Sequence, residues 1–265
     1  MKKVLTIAGS DTCGGAGIQA DLKTFSAHGV FGMSVITAVT AQNTQGVFGV
    51  ADISPEIIKK QIEVIFDDIS VDGVKIGMVS KTSTIKTIAE TLAQFAVKNL
   101  VVDPVMVSKS GYHLLEPEAK SALIEYLLPM ATVVTPNLPE AEVITGIKTS
   151  SIEDMKKAAE EIYKIGPKYV LIKGGHLEGE AIDVLYDGRE FTYYNSPRIN
   201  TKNTHGTGCT LSSAITANLS LGLPVNDAIR KAKNYITAAI ENSFPIGKGV
   251  GPVHHFYELY KGKFD

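Results

Sequence analysis

The fold predicted by this sequence is a layered α/β domain with a mixed, mostly parallel sheet, and three observations predict it. Short apolar runs rich in β-branched residues alternate with amphipathic helical stretches through most of the chain. The runs are continuously apolar, as strands covered on both faces must be. No linker, composition shift or internal repeat divides the 265 residues, so one domain is expected.

The elements follow in order. Strands are read at residues 4–8, 35–40, 74–79, 100–105, 132–135 and 169–172. A helix over 18–27 follows the first. The next spans 54–69, with Ser54 as cap, Pro55 at the first helical position, and Ile58, Ile62, Ile65 and Ile69 on one face. Another covers 82–98, with Ile85, Ile88, Leu92 and Phe95 on its buried stripe. A fourth covers 151–165, opened by Ser151 with Asp154 three residues on. Residues 182–186 and 190–194 flank Asp187-Gly188, which predicts a tight antiparallel hairpin. Leu211, Ile215 and Leu219 give the last clear helical period.

Composition narrows the function. With 28 acidic against 26 basic side chains, the formal charge is −2, so no basic field attracts nucleic acid or anionic lipid. No apolar stretch approaches the roughly 18 residues a membrane helix needs, and the run at 4–8 is too short for a signal peptide. Cys13 and Cys209 make no metal-ligand spacing, and a reducing, cytoplasmic protein is expected. His254 and His255 are adjacent, so on an extended segment they point to opposite faces and chelate no common metal.

In open α/β sheets ligands sit beyond the carboxyl ends of the strands, and the glycine-rich loops fall there. His205-Gly206-Thr207-Gly208-Cys209-Thr210 directly precedes a helix and is either a glycine turn that merely starts a buried helix or a site whose backbone N–H groups and helix dipole face an anion such as a phosphoryl group. Cys209, in the first turn, is either a thiol with lowered pKa that can act as a base or a small buried apolar residue. The segment Gly9 to Gly17 fits neither a Walker nor a dinucleotide fingerprint, and suits close backbone approach to a small ligand. Asp21 either faces that ligand or simply favours the first helical turn. Gln42 and Asn43 follow the second strand in an expected loop; the Gln42 amide is either simply an exposed loop amide or a donor beside an acceptor that matches an aminopyrimidine edge. Asp103 and Glu140, after two strands, could hold Mg2+ through its waters, with Asn137 nearby; Glu140 could equally cap a helix. Lys173, before Gly174-Gly175, could place an ammonium on a phosphate or be a solvated lysine at a strand exit.

Seven segments carry a likeness: GSDTCGGAGIQADLKTF, TAQNTQGV, VVDPVMVSKSG, TPNLPEAEVITG, KGGH, KNTHGTGCTLS and GPVHHF. In this order they resemble the hydroxymethylpyrimidine/phosphomethylpyrimidine kinases of thiamine biosynthesis, a branch of the ribokinase-like superfamily, from about Thr6 to Phe256. The resemblance implies a three-layer α/β/α ribokinase-like fold, mostly parallel with an antiparallel hairpin, as one kinase domain over 1–265. It implies ATP-dependent phosphorylation of 4-amino-5-hydroxymethyl-2-methylpyrimidine to its monophosphate and then its diphosphate, with Mg2+. A pyridoxine, pyridoxal or pyridoxamine kinase of the same fold is the alternative. By the same resemblance Gln42 reads the pyrimidine, with Asp21 beside it and Gly9, Met78 and Val105 lining the pocket. Gly206, Thr207 and Gly208 form the anion hole, Cys209 is the base, and Lys173, Asn137 and Glu140 handle nucleotide phosphates and, with Asp103, the metal. Pyridoxal kinases that depend on cysteine carry a second one in the flap after the VVDPV-like strand; here Ser108, Lys109 and Ser110 stand there. Relatives commonly pair, so a homodimer is expected, with no nucleic acid or membrane partner. GPVHHF takes no role from the resemblance.

Overall fold

The computed structural model describes residues 1–108, 111–175 and 181–263; Lys109, Ser110 and His176 lie outside them. In chain order the elements are β1 (Lys3–Asp11), α1 (Gly17–Ala27), β2 (Phe31–Asn43), β3 (Gly46–Asp52), α2 (Pro55–Asp68), β4 (Gly73–Ile76), α3 (Thr82–Leu92) and β5 (Leu100–Val102). Then come α4 (Ala119–Ala122), β6 (Val133–Val134), α5 (Leu138–Thr145), α6 (Ile152–Ile165), β7 (Tyr169–Ile172), β8 (Ala181–Tyr186), β9 (Phe191–Ser196), α7 (Thr207–Ser220), α8 (Val225–Glu241) and α9 (Tyr257–Tyr260). One sheet runs β3-β2-β1-β4-β5-β6-β7-β8-β9. From β2 through β7 the pairings are parallel, and β3, β8 and β9 add antiparallel edges.

The three layers follow from strand parity. Val102 and Val134 pack with Ile58, Ile62, Ile85 and Ile88 on one face, whereas Val101 and Val133 pack with Leu211, Ile215, Ile229 and Ile236 on the other. Successive strand residues thus meet different helix layers, which is why the strands read as unbroken apolar runs.

Several boundaries differ from expectation. β2 continues to Asn43 and turns through Thr44 and Gln45 into β3, so Gln42 and Asn43 end a strand rather than occupy a loop. Half-exposed β3 lacks the dense apolar run by which strands were recognised. α3 stops at Leu92 because the chain turns to stack Phe95 on Phe66, ring centroids 4.6 Å apart. The β8–β9 link is four residues long, with Asp187 Oδ1 accepting from the Arg189 and Glu190 N–H groups, each at 2.8 Å. Residues 119–130 also coil, α4 continuing through a wide turn and a 3-10 turn over buried Leu123, Leu127 and Leu128. No helix among the described residues is long and apolar enough to cross a membrane.

Candidate active site

The parallel strands deliver β1, β4, β5, β6 and β7 to one edge of the sheet, and the N-terminus of α7 arrives at the same edge. Gly206 starts α7 in the left-handed region at φ 77°, and a Cβ there would overlap the Gly15 carbonyl oxygen. Only glycine meets both conditions. The loop after β1 and the turn before α7 therefore lie against each other. The Gly17 amide faces Cys209 and works to lower its thiol pKa, and Nε2 of His205 lies 2.9 Å from Asp11 Oδ2.

Asp11 organises its own loop. Oδ2 accepts from the N–H groups of Gly15 (3.0 Å) and Ala16 (2.8 Å), and Oδ1 from Cys13 (2.9 Å). Burial alone would raise its carboxyl pKa; His205 and these amides outweigh burial and hold it below the ordinary value. Gln42 approaches the same ring nitrogen: its Nε2 lies 3.4 Å from His205 Nε2, and Gln42 Oε1 lies 3.3 Å from the Thr40 hydroxyl. The predicted pyrimidine reader is thus brought to the residue that opens the anion turn.

In that turn the first intrahelical bond runs from the Thr210 N–H to the Gly206 carbonyl at 2.9 Å. Helix geometry leaves the Gly208 and Cys209 amides ahead of it for a ligand, whereas the Thr207 N–H leans on the Thr204 carbonyl at 3.3 Å. A Cβ on Gly208 would sit 3.4 Å from Lys173 Nζ and 3.5 Å from Asp103 Oδ2, which places both charges at the open amides. Lys173 Nζ pairs with Asp103 Oδ1 at 2.7 Å and lies 3.9 Å from Glu140 Oε2. Burial opposes the Lys173 charge, but Asp103 and Glu140 outweigh it and raise its pKa. Asp103 is held low against burial by Lys173 and Lys75, while Glu140 is pushed up to about 7, chiefly by burial.

Asn137 and Glu140 close a capping box at α5. Asn137 Oδ1 accepts from the Glu140 N–H at 2.9 Å, and Glu140 Oε2 from the Asn137 N–H at 2.8 Å. Among the described residues no group of three or more His, Cys, Asp and Glu forms a metal cluster. Two carboxylates with an ammonium between them fit a hydrated Mg2+ held through its waters, not a protein-caged ion. Met78 is buried, and a Cβ on Gly9 would lie 2.8 Å from its sulfur; Val105, half-buried, follows Asp103.

Two expectations are corrected. Asp21 does not face a ligand: fully buried, it accepts from the Thr6 hydroxyl (2.6 Å), the Ser213 hydroxyl (2.7 Å) and Lys75 Nζ (2.9 and 3.0 Å). The Cys209 thiol is not lowered by the helix start. Burial, the largest effect, pushes it up to about 11; the Lys75 ammonium pulls down, while Asp21 and Asp103 push up. Cys209 therefore rests as a neutral thiol near pH 7.

Sequence reasoning missed Lys75, although a lone cation inside GVKIGMV had to find a buried partner. Asp183 and Lys233 were also missed. This buried pair is 2.5 Å apart, and Asp183 Oδ1 accepts the Gly174 N–H at 2.9 Å, fixing the backbone just past Lys173.

Residues 11–254 match the sequence model of the family described as phosphomethylpyrimidine kinase. The hydroxymethylpyrimidine/phosphomethylpyrimidine kinase of Rhizobium meliloti is 55% identical over 261 residues, 97% of this chain and 98% of that protein. The crystal structure of phosphomethylpyrimidine kinase from Clostridium difficile is 58% identical, covers 91% of this chain and 100% of its own, and superposes with a TM-score of 0.82. An ADP complex of Bacillus subtilis pyridoxal kinase is 44% identical, with a TM-score of 0.91 over 98% of this chain and 100% of its own. With the family model matched over most of its length and relatives this similar, the chain belongs to the phosphomethylpyrimidine kinase family.

Proposed function

We propose that this chain, one kinase domain over residues 1–265, phosphorylates the hydroxymethyl group of 4-amino-5-hydroxymethyl-2-methylpyrimidine with ATP and then phosphorylates the monophosphate, as a cytoplasmic enzyme of thiamine biosynthesis. The observation that carries the reading is the placing of Gln42 3.4 Å from His205, which opens the anion turn. An amide suited to an aminopyrimidine edge stands beside amides suited to a phosphoryl group.

ATP supplies the phosphoryl group, and a bound Mg2+ would spread the charge of its phosphates. Gln42 orients the ring, with Gly9, Met78 and Val105 as its walls. The Gly208 and Cys209 amides, with Lys173, meet the negative charge as it develops, and the Gly206 and Thr207 backbone shapes that cradle. Asn137 and Glu140 set the backbone beside Lys173, and Asp103 and Glu140 would hold Mg2+ through its waters. A loose transition state keeps the hydroxyl proton in place until late, when it passes to an oxygen of the transferred phosphoryl group and on to solvent, so Cys209 guides the hydroxyl as a neutral sulfur rather than as a standing thiolate. Asp21 acts from behind the site by anchoring Lys75. The reading includes a homodimer; a sedimentation mass equal to one 28.4 kDa chain refutes that part.

The test is ADP release with the hydroxymethylpyrimidine, its monophosphate and pyridoxal, side by side. The two pyrimidines should be turned over with the higher kcat/KM, and a preference for pyridoxal overturns the assignment. The sequence favours the pyrimidine because its two cysteines are Cys13 and Cys209, neither in the flap.

A further inference from the structure

We propose that residues 251–256, the GPVHHF segment, form the floor of the phosphoryl cradle, and that His255 is a positioning residue acting on it through Thr210. The inference rests on the reading of the turn before α7 as that cradle. The segment is fastened on three sides. The Gly251 carbonyl accepts the His205 N–H at 2.9 Å, and Pro252 bridges His205 in parallel register, so the segment runs alongside the residue that opens the turn. The His254 N–H donates to the Ala239 carbonyl at 2.8 Å and the Tyr235 hydroxyl to the His255 carbonyl at 2.7 Å, tying the segment to α8. Val253 is buried in the apolar layer shared by α7 and α8.

The third fastening reaches the cradle itself. His255 Nε2 lies 3.0 Å from the Thr210 hydroxyl, and both residues are buried. Thr210 follows Cys209, and its own N–H makes the first bond of α7. A helical threonine commonly returns its hydroxyl to the carbonyl four residues back, which here would be Gly206. Thr210 is engaged from outside the helix instead. Gly206 brings no side-chain cap, so the start of α7 depends on such outside contacts for its rotation and pitch. That rotation aims the Gly208 and Cys209 amides and the Cys209 sulfur. Burial, then the nearby Lys23, His254 and His205, keep the imidazole neutral, so the contact persists through ordinary pH.

The consequence is kinetic. A displacement of about 1 Å at a reacting group can cost up to about 10²-fold in rate. The test compares wild type with Thr210→Val, Thr210→Ser, His255→Ala and His255→Gln in the full chain, with kcat and KM measured separately and melting temperature alongside. Thr210→Val and His255→Ala should lose about 10-fold to 10²-fold in kcat, with KM for the pyrimidine within about twofold of wild type. Thr210→Ser and His255→Gln, which restore a hydroxyl or an amide nitrogen, should recover most of the loss. The double variant Thr210→Val/His255→Ala should be no slower than His255→Ala, because the two residues act as one unit. Wild-type kcat in Thr210→Val, or additive losses in the double variant, overturns the proposal. A second readout needs no turnover: iodoacetamide labelling of Cys209, followed by peptide mass in a Cys13→Ser background, should change at least about threefold in His255→Ala. An unchanged labelling rate overturns the proposal as well. A wild-type enzyme inactive on the pyrimidine would sink the functional reading while leaving this labelling contrast to be read.

Discussion

Replacing Lys75 by Met removes one charge from a fully buried pair while keeping the unbranched stem. The ammonium holds both Asp21 oxygens, at 2.9 and 3.0 Å, and Asp21 is left with the Thr6 and Ser213 hydroxyls. Breaking a buried pair from one side costs about 3–5 kcal/mol. The two remaining donors place this case near the lower end, about 3 kcal/mol, or roughly 6–12 °C in melting temperature for a chain of this size. Urea unfolding at pH 7 measures it, and the slope m should be unchanged. Asp21→Asn/Lys75→Met, which leaves a neutral pair in place, should regain at least half of the loss. The same ammonium pulls the Cys209 thiol down, so Lys75→Met should label with iodoacetamide more slowly at pH 9. A variant within about 1 kcal/mol of wild type, with unaltered labelling, refutes the view that the buried Lys75–Asp21 pair braces this site from behind.

Further outcomes follow from the same geometry. Gly206→Ala forces a side chain into the Gly15 carbonyl at φ 77° and should cut kcat by at least about 10²-fold, checked by ADP release with circular dichroism as the folding control. Cys209→Ala should lose about 10²-fold in kcat with little change in pyrimidine KM, and equal turnover removes the sulfur from the reaction. Gln42→Ala should raise the pyrimidine KM about 10-fold to 10²-fold and erase discrimination against pyridoxal; retained discrimination counts against the amide match. His255 has a folded pKa pushed down to about 3, chiefly by burial, so only the unfolded chain takes up its proton as pH falls below about 6.5. Its contribution is intact above that pH and lost toward pH 3, amounting to about 1.9 kcal/mol between pH 7 and 5. Glu140, raised to about 7 by burial, works in the opposite direction, so the quantity to measure is wild type minus His255→Gln by urea unfolding at both pH values.

What the sequence revealed and what it hid have separate physical causes. Strands buried on both faces, such as β7, advertise themselves as dense apolar runs, and its expected bounds, 169–172, agree with the structure. Edge strand β3 is half-exposed and mixed, so local composition carried no such signal. Residues near the strand ends could be named because loop chemistry is local. Their neighbours could not: Asp11 meets His205 across 194 positions, and Asp21 meets Lys75 across 54. The thiol shift went the wrong way for the same reason. The helix start is visible in HGTGCT, but the burial that outweighs it is contributed by other segments.

The meeting of the loop after β1 with the turn before α7 has a consequence for biosynthesis. A chain emerging from the ribosome can pair β1 with β2 early, yet Asp11 must wait for His205, and His205 for Gly251. Competence therefore comes last. A polypeptide shortened to end before Gly251 holds every described strand of the sheet, all of which end by Ser196, yet lacks the contacts that seat His205 and should be inert as a kinase.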